Sequence, residues 1–184
     1  MKIHPRMATE RLRLRPFVAD DAEELAKLGS DRSVADTMLD WPHPFSPANA
    51  RSTIAAQAAN YQTGRSLHLA LEIQKTPGLI GGIELRGLDA EDGCAELRFW
   101  VEAGSWKKGF ATEAAMALLR FGFGELRLHR VDALCLARDP AGAAVLGKIG
   151  MKQEGLLRER VRKFDCYEDV ALYAVLASDG AVRA

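Results

Sequence analysis

Residues 94–123 change pattern across a single turn. Cys94-Ala95-Glu96-Leu97-Arg98-Phe99-Trp100-Val101 alternates polar and apolar residues with a period of two, the pattern of a half-buried strand, and sets Glu96, Arg98 and Trp100 on one face. Residues 112–123 are instead dense in Ala, Leu and Met, strong helix formers, with no proline among them. Ser105-Trp106-Lys107-Lys108-Gly109-Phe110-Ala111 joins the two. The first-turn N–H groups of a helix have no intrahelical partners and carry the positive end of its dipole. The turn therefore predicts an anion cradle suited to a pyrophosphate, with Lys107 and Lys108 adding charge.

The rest of the chain surrounds this unit with strands. Residues 11–17 alternate Arg with Leu, and an acid-led helix follows over about 20–28, with Gly29 as its stop. Trp41-Pro42-His43-Pro44-Phe45 cannot continue a helix, because proline lacks an N–H and restricts its predecessor. Ser46-Pro47 reads as an N-cap with proline at the first helical position, opening a helix to about Gly64. Strands over 66–74 and 79–88 then form a meander with the Glu96 strand, with Leu67, Leu69, Leu71 and Ile73 sharing one face. Residues 130–136 read as a buried strand, and Asp139-Pro140 opens a helix that closes at Gly150. The strands 152–162 and 167–176 pair as a hairpin across Lys163-Phe164-Asp165-Cys166. Strand runs with helices between and beside them predict an α+β domain of three layers, α/β/α.

With 184 residues, 48% of them apolar, the chain suits one domain over 1–184, its core at about 9–177 and its ends frayed. Lys plus Arg and Asp plus Glu both number 25, so no global charge argues for nucleic acid or an anionic membrane. Cys94, Cys135 and Cys166 are far apart and lack metal-ligand spacing, which argues against a metal or a disulfide framework; they read as small buried apolar residues. The first residues lack the apolar run of a signal peptide, and no segment reaches membrane-spanning length; the expected location is cytoplasmic.

In order along the chain, Thr9-Glu10-Arg11-Leu12-Arg13-Leu14-Arg15, Trp106-Lys107-Lys108-Gly109-Phe110-Ala111, Leu128-His129-Arg130-Val131, the segment from Asp139 to Met151, and Glu154-Gly155 with Tyr167-Glu168-Asp169-Val170 resemble the GCN5-related N-acetyltransferases (GNAT), and within them the branch containing ribosomal-protein N-terminal acetyltransferases. The resemblance implies a twisted, mostly antiparallel mixed sheet of about seven strands, splayed between the fourth and fifth, with about four helices. It also implies acetyl-CoA as cosubstrate in the opening, held by Val101, Lys107, Lys108, Gly109, Phe110, Ala111, Thr112, Asp139 and Lys148. The acceptor would be a primary amine, either a peptide N-terminus or a small amine, amino acid or antibiotic, attacking directly in a ternary complex. A coenzyme-binding module with little catalysis is the alternative, and a homodimer through the Trp41 loop and the C-terminal hairpin is left open.

Chemistry assigns the remaining roles. An α-amino group, with a pKa near ~7.7–8.0, needs only a weak base, whereas a lysine near ~10.4 needs more help. Glu96 is the candidate base, directly or through a water; the other reading pairs it with Arg98 or another basic residue. The family's oxyanion donor, a backbone N–H at the end of the fourth strand, falls at Val101 or Glu102. Five positions depart from the family: Trp106 stands for a glutamine or arginine and Asp139 for an asparagine, and three more bear on the chemistry. Lys107 replaces a glycine, Gly142 a serine, and Leu146 the tyrosine that serves many members as general acid. Tyr167 and Tyr173 read as core, His129 as structural, and Trp41, His43, Phe45 and Tyr61 as pocket wall or core.

Overall fold

The computed structural model describes residues 3–180. Eight strands form one sheet in the order β1-β2-β3-β4-β5-β6-β8-β7: β1 (Met7–Ala8), β2 (Leu12–Arg15), β3 (Ser66–Ile73), β4 (Thr76–Asp89), β5 (Cys94–Val101), β6 (Arg130–Leu136), β7 (Lys152–Lys163) and β8 (Cys166–Leu176). Every neighbouring pair is antiparallel except β5 with β6. Five α-helices accompany the sheet: α1 (Ala22–Gly29), α2 (Arg32–Thr37), α3 (Pro47–Gln62), α4 (Phe110–Gly124) and α5 (Pro140–Lys148).

The strand and helix numbers each exceed the expectation by one. The added strand is the two-residue β1, too short to show a period. The added helix, α2, holds six residues and starts three after α1 ends, where Asp31 caps it by accepting from the Ser33 N–H at 2.8 Å. The strand expected over 11–17 contracts to Leu12–Arg15, and the fourth and fifth strands of the expectation are β5 and β6.

Alternation sorts the core to the two faces of the sheet. Leu67, Leu69 and Leu71 of β3, Ile83 and Leu85 of β4 and Leu97 of β5 are buried with Leu118 and Leu119 of α4, all at 0–2% exposure. The opposite face collects Ala70, Trp100, Leu25 of α1, Val34 of α2 and Ile54 of α3. Trp100 lies across β4 because that strand carries glycine there: a Cβ on Gly82 would come within 2.7 Å of the Trp100 indole nitrogen. Trp41 packs against Trp100, its ring centroid 5.6 Å away and tilted by 54°, and donates its indole N–H to Gly29 O at 3.0 Å, so the proline-rich loop is fastened to the sheet. Among the described residues, no helix is long and apolar enough to cross a membrane.

Three side chains differ from expectation. Tyr167 is 65% exposed because it stands near the hairpin tip, beyond the reach of the core, whereas Tyr173 packs against it. Of the cysteines only Cys135 is buried; Cys94 is half-buried and Cys166 is exposed.

Candidate functional site

β5 and β6 pair at only three positions, Cys94 with Arg130, Ala95 with Val131 and Glu96 with Asp132. Beyond that point the strands part, and a cavity of about 430 Å3 opens between residues 97–101 of β5 and 133–135 of β6. The Glu102 N–H donates to Ile80 O at 2.8 Å. Antiparallel pairing alternates, so the N–H groups of Phe99 and Val101 turn away from β4 toward the gap. Of the two expected oxyanion donors, Glu102 is therefore spent inside the sheet, while Val101 faces the opening. Its carbonyl is held by the Trp106 indole N–H at 2.6 Å.

The loop after β5 brings the start of α4 to this cavity. Gly109 caps α4 in the left-handed conformation, at φ 81°, and leaves the first-turn N–H groups without side-chain partners. Lys107 is also left-handed, at φ 60°, so the lysine that replaces the family's glycine keeps the loop shape and accepts the strain. Val101, Lys107, Gly109, Phe110, Ala111, Thr112, Asp139 and Lys148 all line the cavity. Lys108 does not: its ammonium donates to Gly104 O at 2.7 Å, tying the loop to itself.

α5 forms the other wall. Asp139 accepts from the N–H groups of Ala141 and Gly142, both at 3.0 Å, and so caps this helix. A Cβ at Gly142 would stand 2.6 Å from Asp139 Oδ2 and 2.9 Å from Cys135 Sγ, which explains the missing serine: this wall has no room for it. Leu146, 2% exposed, fills core at the position where the resemblance implies a phenol in many members. Burial, followed by the charge of Asp139, pushes the Cys135 thiol up to about 12.

Glu96 lies just below the fork and does not line the cavity. Its carboxylate pairs with Arg86 at 3.0 Å and approaches Arg98 Nε at 3.8 Å. Arg98 does line the cavity, and Asp40 grips its guanidinium from the loop after α2 at 2.5 and 2.9 Å. Burial works against the Asp40 charge, but Arg98 and then Arg86 hold its carboxyl below the ordinary value. These contacts favour the ion-paired reading of Glu96.

The cavity lining is completed by Thr37, Met38 and Leu39, with Trp100 and Leu134. Trp41, His43, Phe45 and Tyr61 do not line it; Trp41 and Phe45 belong to the second core, and His129 is exposed at the start of β6. The wall over residues 37–39 escaped the sequence reading, although Asp31 two residues before Ser33 is a capping signal that could have located α2. Among the described residues, no group of three or more His, Cys, Asp or Glu is placed to hold a metal ion.

A family model described as an acetyltransferase (GNAT) domain matches residues 11–152. An uncharacterized N-acetyltransferase, p20, of Bacillus licheniformis is 29% identical over 173 residues, covering 94% of this chain and 97% of that one. The ribosomal-protein-serine acetyltransferase of Escherichia coli is 27% identical over 137 residues, covering 74% and 75%. Among solved structures, RimL, a ribosomal L7/L12 alpha-N-protein acetyltransferase in complex with coenzyme A, shares the fold at a TM-score of 0.86 and 18% identity, over 94% of this chain and 98% of that one.

Proposed function

Because this chain belongs to the acetyltransferase (GNAT) family, we propose that it transfers the acetyl group of acetyl-CoA to a primary amine by direct attack in a ternary complex. One observation carries this: the strands part where the start of α4, its first-turn N–H groups without side-chain partners, opens into the same cavity. The residues fit the coenzyme. Left-handed Gly109 leaves backbone N–H groups free for a pyrophosphate, Lys107 and Lys148 line the same cavity, and the only acid in its lining among the described residues, Asp139, is occupied as a cap.

The chemistry asks little more of the side chains. The Val101 N–H, turned to the gap, is placed to donate to the oxygen of the attacked carbonyl. An acceptor α-amine with a pKa near ~7.7–8.0 is substantially neutral at physiological pH, and a thiol near ~8.5 leaves without a strong acid. That is consistent with a site lacking a phenol at Leu146 and a hydroxyl at Gly142. Glu96 is assigned to setting Arg98 in the cavity wall; any proton it takes passes through a water. For the acceptor we favour a peptide N-terminus; the Escherichia coli relative is named as an acetyltransferase of a ribosomal protein. A small amine is the alternative. The absence of both acids also keeps open a module that binds coenzyme without turnover.

The test is calorimetric titration with acetyl-CoA of the wild type and of Gly109→Pro, which removes an N–H and cannot adopt φ 81°. Binding by the wild type and its loss in a variant that keeps its circular dichroism is the expected result. A wild type that does not bind overturns the proposal. Thiol release with amine-bearing peptides then separates enzyme from binding module.

A further inference from the structure

Arg11, of the segment before β2, lies behind the α4 loop and does not line the cavity. Its side chain nevertheless holds that loop. Nη1 donates to Lys108 O at 2.9 Å, Nε donates to Glu113 Oε2 at 2.7 Å, and the guanidinium carbon sits 4.8 Å over the Phe110 ring. The Arg11 N–H donates to Glu113 Oε1 at 2.9 Å, and Thr9 Oγ1 donates to the same oxygen at 2.5 Å. One carboxylate in the first turn of α4 thus binds two residues from the start of the chain.

Resting on the coenzyme reading of this cavity, we propose that Arg11 is a positioning residue with two effects: it aims the Gly109 N–H at the pyrophosphate, and it cancels the Glu113 charge beside it. The first effect follows from peptide geometry. In a planar trans peptide the carbonyl and the N–H point in opposite directions. Arg11 draws the Lys108 carbonyl outward, so the Gly109 N–H of the same peptide points inward, on the side where Gly109 lines the cavity. The second effect is electrostatic. Burial opposes the charge of Glu113, yet Thr9 and Arg11 hold its carboxyl below the ordinary glutamate value, so it remains an anion. An anion in the first turn suits the helix dipole but competes with a phosphate for the same helix end. Arg11 Nη2, 2.6 Å from Glu113 Oε2, supplies the compensating charge.

The test is a set of variants titrated with two ligands, acetyl-CoA by calorimetry and acetyl-pantetheine, which lacks the pyrophosphate, by protein-observed NMR. Arg11→Ala is expected to weaken acetyl-CoA binding by about 10- to 100-fold, the range for loss of hydrogen bonds to a charged group. Arg11→Lys keeps the charge but not the fork, and is expected to fall between that variant and the wild type. Arg11→Ala combined with Glu113→Gln is expected to bind better than Arg11→Ala alone, because the uncompensated anion is gone. Acetyl-pantetheine binding is expected to be the same in all four proteins. Equal acetyl-CoA binding by wild type and Arg11→Ala overturns the inference while leaving the coenzyme reading intact. A parallel loss for both ligands overturns it too, since that marks damage to the fold. A wild type that binds neither ligand removes the coenzyme reading, and this inference with it.

Discussion

Lys163 is 7% exposed, and its ammonium donates to Ala35 O at 2.6 Å and to Met38 O. Those carbonyls lie at the C-terminal end of α2, where a helix leaves its last C=O groups short of intrahelical donors. The hairpin lysine therefore caps the helix whose continuation, residues 37–39, walls the cavity. Lys163→Met keeps the apolar stem and removes both donors. Ala35 O keeps the Met38 N–H at 3.3 Å, so Met38 O is the carbonyl that loses its donor, at a cost of about 1–3 kcal/mol, offset in part by no longer burying a charge. A net loss of about 1–2 kcal/mol follows, or roughly 2–8 °C in Tm for a chain of this size. Calorimetric melting should show that drop, and hydrogen exchange should speed up over residues 35–41 but not in α4. Burial lowers the Lys163 pKa, so in the window between its folded value and about 10.5 the unfolded chain binds more protons and wild-type stability rises with pH. The variant should lack that rise. A Tm within about 1 °C of wild type, with unchanged exchange over 35–41, would refute the capping argument.

Two other expectations can be checked with simple assays. Glu96→Gln should lower kcat by about tenfold with no change in the shape of the pH–rate profile, measured as thiol release with a peptide acceptor, if its carboxylate serves to place Arg98; a loss concentrated at low pH would make Glu96 the base instead. With its thiol at about 12, Cys135 should be alkylated by iodoacetamide at pH 8 about a thousandfold more slowly than exposed Cys166, a ratio that mass spectrometry of timed samples reads directly, and equal rates would contradict the burial argument.

What could be read in the sequence was whatever is written in local period and punctuation. The meander, the hairpin over 152–176 and the α5 cap at Asp139 each fit within one short window, and each formed close to its expected limits. The turn from β5 into α4 was legible because a basic, glycine-bearing loop between a period-two and a helical segment has few other uses. Features made by contacts between distant residues left no such mark. Arg11 meets Glu113 102 residues away, and Lys163 meets Ala35 128 residues away. Nothing near either residue announces the contact. Arg11 shows only as one member of an alternating strand, and Lys163 only as part of a turn.

The departures from the family pattern were visible in the sequence, but their meaning depends on packing. Gly142 looked like the loss of a hydroxyl; in place it is the residue that lets Asp139 and Cys135 close against the α5 start. Lys107 posed the opposite question, since a lysine in the left-handed region costs roughly 1–3 kcal/mol that a glycine would not. The loop keeps that conformation, at φ 60°, with the side chain on the cavity wall and Lys108 turned back onto Gly104. Strain at Lys107, which lines the cavity, and its absence from Lys108, which does not, indicate that the loop shape is fixed by what it must present. With Arg11 holding the Lys108 carbonyl on one side and Trp106 holding the Val101 carbonyl on the other, the turn has little freedom to relax. Its N–H groups are thus oriented before any ligand arrives, which lowers the ordering cost of binding.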